Sequence, residues 1–274
     1  MPSYTLAFVG HGFMATAILK GILDNGVIPP EKLLVVNAHN PAGAEAFARE
    51  WGIAAGPPEA LGEAEAVLLA FKPQGFTAAA PVYGPHIGAG RLVISILAGV
   101  ELRDLAAALP GVHLLRAMPN LGLSVGLGAT GYTPGPGVTP EQEALAESVF
   151  SAAGVAKKVT EEGLSAVMAL SGSGPAYFFY LAEAMIDAAV AAGMDRASAE
   201  ALCKQTMRGA AALWGAEEVP PETLRARVTS KKGTTDAAIR AMEAGGLPAA
   251  VASGMRACME RGKEMRKEFL GIDD

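Results

Sequence analysis

The sequence predicts an α/β protein in two parts: a doubly wound, largely parallel sheet over residues 1–160, then an all-helical domain over residues 161–274. Three observations carry this. The first part alternates short apolar runs that do not alternate in polarity with longer helical stretches, the pattern of parallel strands covered on both faces. The second part shows only apolar periodicity near 3.6. Charge density also changes between them, from 9 basic and 12 acidic residues before position 161, about 13%, to 13 and 16 after it, about 25%.

In order, Tyr4–Val9 reads as a strand and Met14–Leu23 as its following helix; Leu33–Val36 and Ala42–Trp51 repeat the pair. Val67–Ala70, Leu92–Leu97 and Val112–Ala117 are further strands, each a short apolar run bounded by turn residues. Helices follow at Gly163–Leu170, Pro175–Ala192, Arg196–Trp214, Pro221–Val228, Thr235–Ala244 and Leu247–Phe269, punctuated by Gly and Pro. The helix from Pro175 is apolar nearly all round, broken mainly by Glu183 and Asp187. Such a helix is buried on most faces, and a domain of this size cannot bury it alone, so a second subunit is expected to cover it.

Composition excludes several classes. Of 274 residues 51% are hydrophobic, which is a packed chain, and its 33 Gly and 18 Pro punctuate it. A net charge of −6 without a basic block does not suit nucleic acid. Cys203 and Cys258 make no disulfide framework and have no His or Cys at ligand spacing, which points to a reducing, cytoplasmic setting and no metal. The N-terminus lacks the basic and apolar regions of a signal peptide. The uncharged interval Gly163–Ala182 is long enough for a membrane span, but Ser171-Gly172-Ser173-Gly174-Pro175 interrupts it, so no membrane partner is expected.

The first strand runs into Gly10-His11-Gly12-Phe13-Met14-Ala15 and then a helix, a Gly-x-Gly-x-x-Ala turn. The first Gly permits a tight turn, the second lets backbone approach a pyrophosphate, and the small third residue allows helix and strand to pack closely. In this context the turn indicates a dinucleotide-binding domain of Rossmann type. The second strand ends in Asn37-Ala38-His39-Asn40, without the acid that would bind the ribose hydroxyls of NAD, which favours NADP with Asn37, His39 and Asn40 as donors. His39 is alternatively an exposed loop residue. His11, His39, His86 and His113 have no nearby partners for a triad or metal set.

Three more features bear on chemistry. Lys72, closing the third predicted strand, and Asn120, in Arg116-Ala117-Met118-Pro119-Asn120, bond cofactor or substrate, or are a solvated Lys and a turn-forming Asn. Ser230-Lys231-Lys232-Gly233-Thr234-Thr235-Asp236 is a loop becoming a helix. Its free amides and two hydroxyls offer a seat for a carboxylate or phosphate, unless a threonine serves only as the N-cap.

Taken together, the glycine turn, Arg116–Asn120, Ala169-Leu170-Ser171-Gly172-Ser173-Gly174-Pro175-Ala176-Tyr177, and Val228-Thr229-Ser230 through Gly233-Thr234-Thr235 resemble pyrroline-5-carboxylate reductase over essentially the whole chain. The resemblance implies reduction of L-1-pyrroline-5-carboxylate to L-proline with NADPH, or NADH, by a homodimer that often assembles further. It implies pyrophosphate on Gly10, His11, Gly12, Phe13, Met14 and Ala15, and nicotinamide with its ribose near Ala70, Lys72 and Asn120. Ser173, Gly233, Thr234 and Thr235 would bind substrate, its carboxylate on amides around Gly233 and Thr234, and the Thr235 hydroxyl on the ring nitrogen. The family usually reads Ser-Pro-Gly-Gly where this chain has Ser230-Lys231-Lys232-Gly233, and Thr-Pro where it has Leu121-Gly122. The two lysines either add positive charge beside the carboxylate or point into solvent. A hydroxyacid dehydrogenase would need a Lys on the helix after the Gly-rich segment, and Ser171–Gly193 has none. A reductase of a related cyclic imine acid, and a non-catalytic NADP-binding protein on the same fold, are the alternatives.

Overall fold

The computed structural model describes residues 2–271 and divides into two compact units, one formed by the chain up to Pro175 with the residues from Ala257 onward, the other by Ala176–Arg256. The first unit is built on β1 (Tyr4–Val9), α1 (Phe13–Asp24), β2 (Leu33–Val36), α2 (Pro41–Trp51), β3 (Ala54–Gly56), β4 (Ala64–Leu69), α3 (Phe76–Tyr83), β5 (Leu92–Ser95), α4 (Leu102–Ala108), β6 (His113–Met118), β7 (Gly128–Pro134), α5 (Pro140–Ser151), β8 (Gly154–Lys158) and α6 (Gly163–Val167). The strands make one sheet in the order β3-β2-β1-β4-β5-β6-β7-β8. Every pairing is parallel except β6 with β7.

Alternate residues of each central strand feed opposite cores, which is why the strands read as unbroken apolar runs. Leu6 and Phe8 of β1 with Ala66 and Leu68 of β4 pack against α1, α2 and α5 through Ile18, Phe47 and Phe150. Ala7, Val9, Val67 and Leu69 pack the other way, on Phe76 and Tyr83 of α3 and Leu105 of α4. Burying a Leu, Ile or Phe side chain contributes roughly 1.5–3 kcal/mol, and Leu6, Phe8, Ile18 and Phe150 are all fully buried.

Strands β3, β7 and β8 were not expected. β3 has only three residues, none β-branched or aromatic; β7 carries two glycines and a proline; and β8 ends in Lys157-Lys158. β7 is a strand because β6 offers it an edge, and the two lysines suit β8 to the outer edge of the sheet, where charge discourages further pairing.

The second unit is helical. α7 (Gly174–Ala191) enters it from the first unit, α8 (Arg196–Ala216), α9 (Pro221–Arg227) and α10 (Thr234–Ala244) lie within it, and α11 (Leu247–Leu270) leads out of it again. The expected helix Gly163–Leu170 is instead α6 followed by one π turn over Met168–Gly172. The expected burial of α7 does not occur within the chain. Phe178, Phe179 and Tyr180 are 62%, 59% and 75% exposed, and the one buried residue of the helix is Gly174. Among the described residues no helix is long and apolar enough to cross a membrane.

Within the first unit the end of α11 is fixed to α4 by a two-pronged ion pair. Arg266 donates to both oxygens of Asp104, at 2.8 and 2.7 Å, and both side chains are nearly buried. Burial pushes the Asp104 carboxyl up, but the Arg266 hydrogen bond, the Glu101 N–H and the Arg266 charge outweigh it, so the carboxyl titrates below the usual range. A carboxyl depressed in the folded state contributes stability above its unfolded pKa of about 3.9, lost as pH falls through the folded value. Asp104→Asn is therefore expected to destabilise the protein at neutral pH and to lose that deficit as the pH falls below about 4. Urea unfolding across this range measures it, and a deficit independent of pH would contradict it.

Candidate active site

The carboxyl ends of β1, β2, β4 and β5 meet where the strand order reverses, the place an open parallel sheet offers a ligand. The ladder continues past the strand ends: Gly10 N–H donates to Val36 O at 3.0 Å, Ala70 N–H to Val9 O at 3.0 Å, and Ile96 N–H to Leu69 O at 3.4 Å. Gly10 has φ +100°, and a Cβ there would sit 2.7 Å from the Ala70 carbonyl oxygen, so turn and close approach both require glycine. Gly12 differs. It is the N-cap of α1 at φ −77°, and a Cβ there would meet no protein atom within 4 Å. Nothing in the fold demands glycine at this point; a ligand lying against the backbone would. Ala15 is fully buried beneath the turn. The first turn of α1 has no acidic residue and no side-chain cap, leaving its amides and its positive dipole end available to an anion.

A cleft of about 160 Å³ beside this turn brings together Gly10, Asn37, His39 and Lys72, four predicted cofactor residues, with Phe71 and Tyr83. No carboxylate lines it. Asn37 organises the rim: its Nδ2 donates to His11 Nδ1 at 3.1 Å, and its Oδ1 accepts from the amides of His39 and Asn40, each at 3.1 Å. Asn40 is the N-cap of α2, accepting from Gly43 N–H at 3.0 Å, and Ala38 N–H donates to the Tyr83 hydroxyl at 2.9 Å. The exposed His39 and Lys72 are thus the cationic or potentially cationic groups of the cleft. Tyr83 and Phe71 were missed in the sequence, since no local pattern separates an aromatic that lines a cleft from one that fills a core.

Asn120 is tied into the fold and keeps one Nδ2 hydrogen for a ligand. Its Oδ1 accepts from Gly122 and Ala129 N–H, both at 3.1 Å, and its Nδ2 donates to Ser171 O at 3.0 Å. It thereby pins the π turn to the end of β6. Ser173 N–H closes that turn on Met168 O at 2.9 Å, and its hydroxyl lies 3.3 Å from Cys258 Sγ. A glycine at 172 fits against Met118.

In the second unit the segment before α10 forms a tight turn. Gly233 N–H donates to Ser230 O at 2.8 Å, and a Cβ on Gly233 would strike the Ser230 hydroxyl. The helix N-cap is Gly233, with no side-chain cap, so neither threonine is the N-cap. Because the Gly233 amide is used in the turn, the open amides at the start of α10 are those of Thr234, Thr235 and Asp236. Both threonines are exposed. Lys231 and Lys232 are exposed as well, and Lys232 has φ +62°, the one positive φ outside glycine among the described residues. That conformation costs an L-residue roughly 1–2 kcal/mol. Lys232 N–H donates to Asp236 Oδ2 at 3.0 Å, and Arg240 pairs with the same carboxylate at 2.9 Å.

Among the described residues no group of three or more His, Cys, Asp or Glu side chains could hold a metal ion. The arrangement is suited instead to a phosphate-bearing dinucleotide on the sheet and a small anion on the start of α10.

Comparison with known proteins agrees across the whole chain. Residues 161–265 match the family described as pyrroline-5-carboxylate reductase dimerisation, and residues 5–99 match that described as NADP oxidoreductase coenzyme F420-dependent. The pyrroline-5-carboxylate reductase of Methanosarcina acetivorans is 37% identical over 271 residues, covering 98% of this chain and 100% of that one. A pyrroline-5-carboxylate reductase structure from Coxiella burnetii superposes with a TM-score of 0.88 at 33% identity, covering 96% of this chain and 98% of its own. The Plasmodium falciparum pyrroline carboxylate reductase, solved with NADP bound, shares the fold at a TM-score of 0.83 and 23% identity, covering 97% of this chain and 99% of its own. With sequence, fold and glycine turn in agreement from end to end, this chain belongs to the pyrroline-5-carboxylate reductase family.

Proposed function

We propose that the chain reduces L-1-pyrroline-5-carboxylate to L-proline with NADPH, as a homodimer in the cytoplasm. The observation that carries the reading is the pairing of full-length kinship with a glycine turn whose second glycine faces open space. Residues Gly10–Ala15 hold the pyrophosphate on the amides at the start of α1, and Asn37 and His39 face the adenosine side; Lys72, which the family resemblance sets beside the nicotinamide ribose, lines the same cleft as these two and so serves the adenosine phosphate instead. The bound nicotinamide supplies the hydride. Residues 161–274 act as the substrate and dimerisation domain: Thr234 and Thr235 amides hold the substrate carboxylate, and the Thr235 hydroxyl orients the ring nitrogen. The imine enters protonated, so hydride addition to its carbon yields the neutral secondary amine without a strong acid from the protein. The protein aligns the reactants and excludes water. The exposed aromatic side chains of α7 are what a second subunit covers.

The cleft's lack of carboxylates and the exposed Lys72 favour the cofactor with the additional phosphate. Lys72→Ala is expected to raise the KM for NADPH about 10-fold, the worth of one charged phosphate contact, and that for NADH less than about 2-fold. Equal effects on both cofactors would remove Lys72 from the phosphate site. The test of the function is NADPH oxidation with pyrroline-5-carboxylate and with its six-membered analogue. Turnover of the five-membered imine is expected. NADPH binding without turnover of either would refute an enzyme of this class.

A further inference from the structure

The turn that presents Thr234 and Thr235 contains a residue that ordinarily avoids its conformation, and one side chain holds it there. Lys232 takes φ +62° with its N–H fixed to Asp236 Oδ2 at 3.0 Å, and Asp236 is itself held by Arg240, one turn further along α10, at 2.9 Å. The Gly233 amide is closed onto Ser230 O at 2.8 Å. The direction in which the Thr234 and Thr235 amides and the Thr235 hydroxyl point is set by this turn, since they are the first two helical residues after it. A glycine at position 232 would adopt the turn unaided; a lysine needs the tether.

We propose that Asp236 is a positioning residue for the reductase reaction: its carboxylate, braced by Arg240, locks the left-handed turn at Lys232 and so keeps the substrate-facing groups of Thr234 and Thr235 in register. Asp236 does not touch substrate and acts through the loop. The inference rests on the reading of this loop as the substrate-carboxylate seat. Arg240→Ala removes only the brace and is expected to have a smaller effect of the same kind.

The test is a double-mutant cycle on the full-length protein, with steady-state kinetics in pyrroline-5-carboxylate at saturating NADPH. Asp236→Ala is expected to raise KM about 10-fold with a smaller change in kcat and an unchanged Kd for NADPH. Asp236→Asn, which keeps an acceptor for the Lys232 N–H, is expected to stay within about 3-fold of the parent. In the Lys232→Gly background the tether is redundant, so Asp236→Ala should change KM by less than about 2-fold. A purely structural role for Asp236 would give the same loss in both backgrounds, and that result overturns the proposal. So does a parent-like KM for Asp236→Ala. Failure of the parent protein to turn over pyrroline-5-carboxylate overturns the functional reading and this role with it, whereas normal turnover with no coupling to position 232 overturns this role alone.

Discussion

Gly12→Val is expected to bind NADPH about 100-fold more weakly or worse while unfolding within a few degrees of the parent protein. The two halves of that expectation come from one observation. A Cβ at Gly12 meets no protein atom within 4 Å, so the fold has room for the new side chain. Exchanging Gly for Val at an N-cap costs about 1 kcal/mol or less. The same space is where a pyrophosphate would lie against the amides of α1. Two branched methyl groups hold it off, and each charge-assisted bond lost is worth about 1.5–3 kcal/mol. The contrasting variant is Gly10→Ala. There the new Cβ would lie 2.7 Å from Ala70 O on a residue at φ +100°, so the loss falls on stability, at about 3 kcal/mol. Isothermal titration with NADPH and urea unfolding of both variants separate the cases. If Gly12→Val unfolds as easily as Gly10→Ala, Gly12 serves the fold; if it binds NADPH like the parent, the pyrophosphate lies elsewhere.

The contrast between these glycines marks how far sequence alone reaches. The spacing Gly10-x-Gly12-x-x-Ala15 after an apolar run was legible because turn, strand and helix start are all local. So were β1 and β2, whose observed limits are the expected ones, and α8 to α11, whose expected limits lie within a residue or two of those observed. What escaped depends on partners distant in the chain. β7 is a strand only between β6 and β8, partners that a local pattern does not show. The tie of Asn120 to the π turn is invisible until Ser171, 51 positions away, is seen to accept its amide. Tyr83 reaches the rim of the cleft beside the glycine turn through Ala38, 45 positions earlier. In the loop before α10, the missing glycine at 232 was visible as a departure, but the sequence did not reveal that a lysine would keep the glycine-like conformation, or that Asp236 would hold it. The apolar character of α7 was legible as a demand for burial. The chain leaves that demand unmet, and the helix lies within residues 161–265, which match the dimerisation family.

Thr235→Ala is expected to lower kcat by about 10- to 1000-fold, or roughly 1.4–4 kcal/mol of transition-state stabilisation. The Thr235 hydroxyl has no task in the fold. It is not the cap of α10, since Gly233 is, and it makes no hydrogen bond among the described residues. Alanine is a better helix former than threonine, so the helix loses nothing by the exchange. Any loss of activity therefore reports an interaction made with the reacting molecule. As hydride reaches the imine carbon, charge leaves the ring nitrogen and its lone pair becomes localised, so a fixed hydroxyl beside that nitrogen interacts differently with the transition state than with the bound imine. The effect then appears in kcat as well as in kcat/KM. Thr235→Ser keeps the hydroxyl while freeing its rotation, and is expected to recover activity to within about 10-fold of the parent. Single-turnover oxidation of NADPH, with affinity for the cofactor measured alongside, isolates the hydride step from product release. Parent-like rates in Thr235→Ala would leave Thr235 no part in the chemistry, and the start of α10 would then be a carboxylate seat alone.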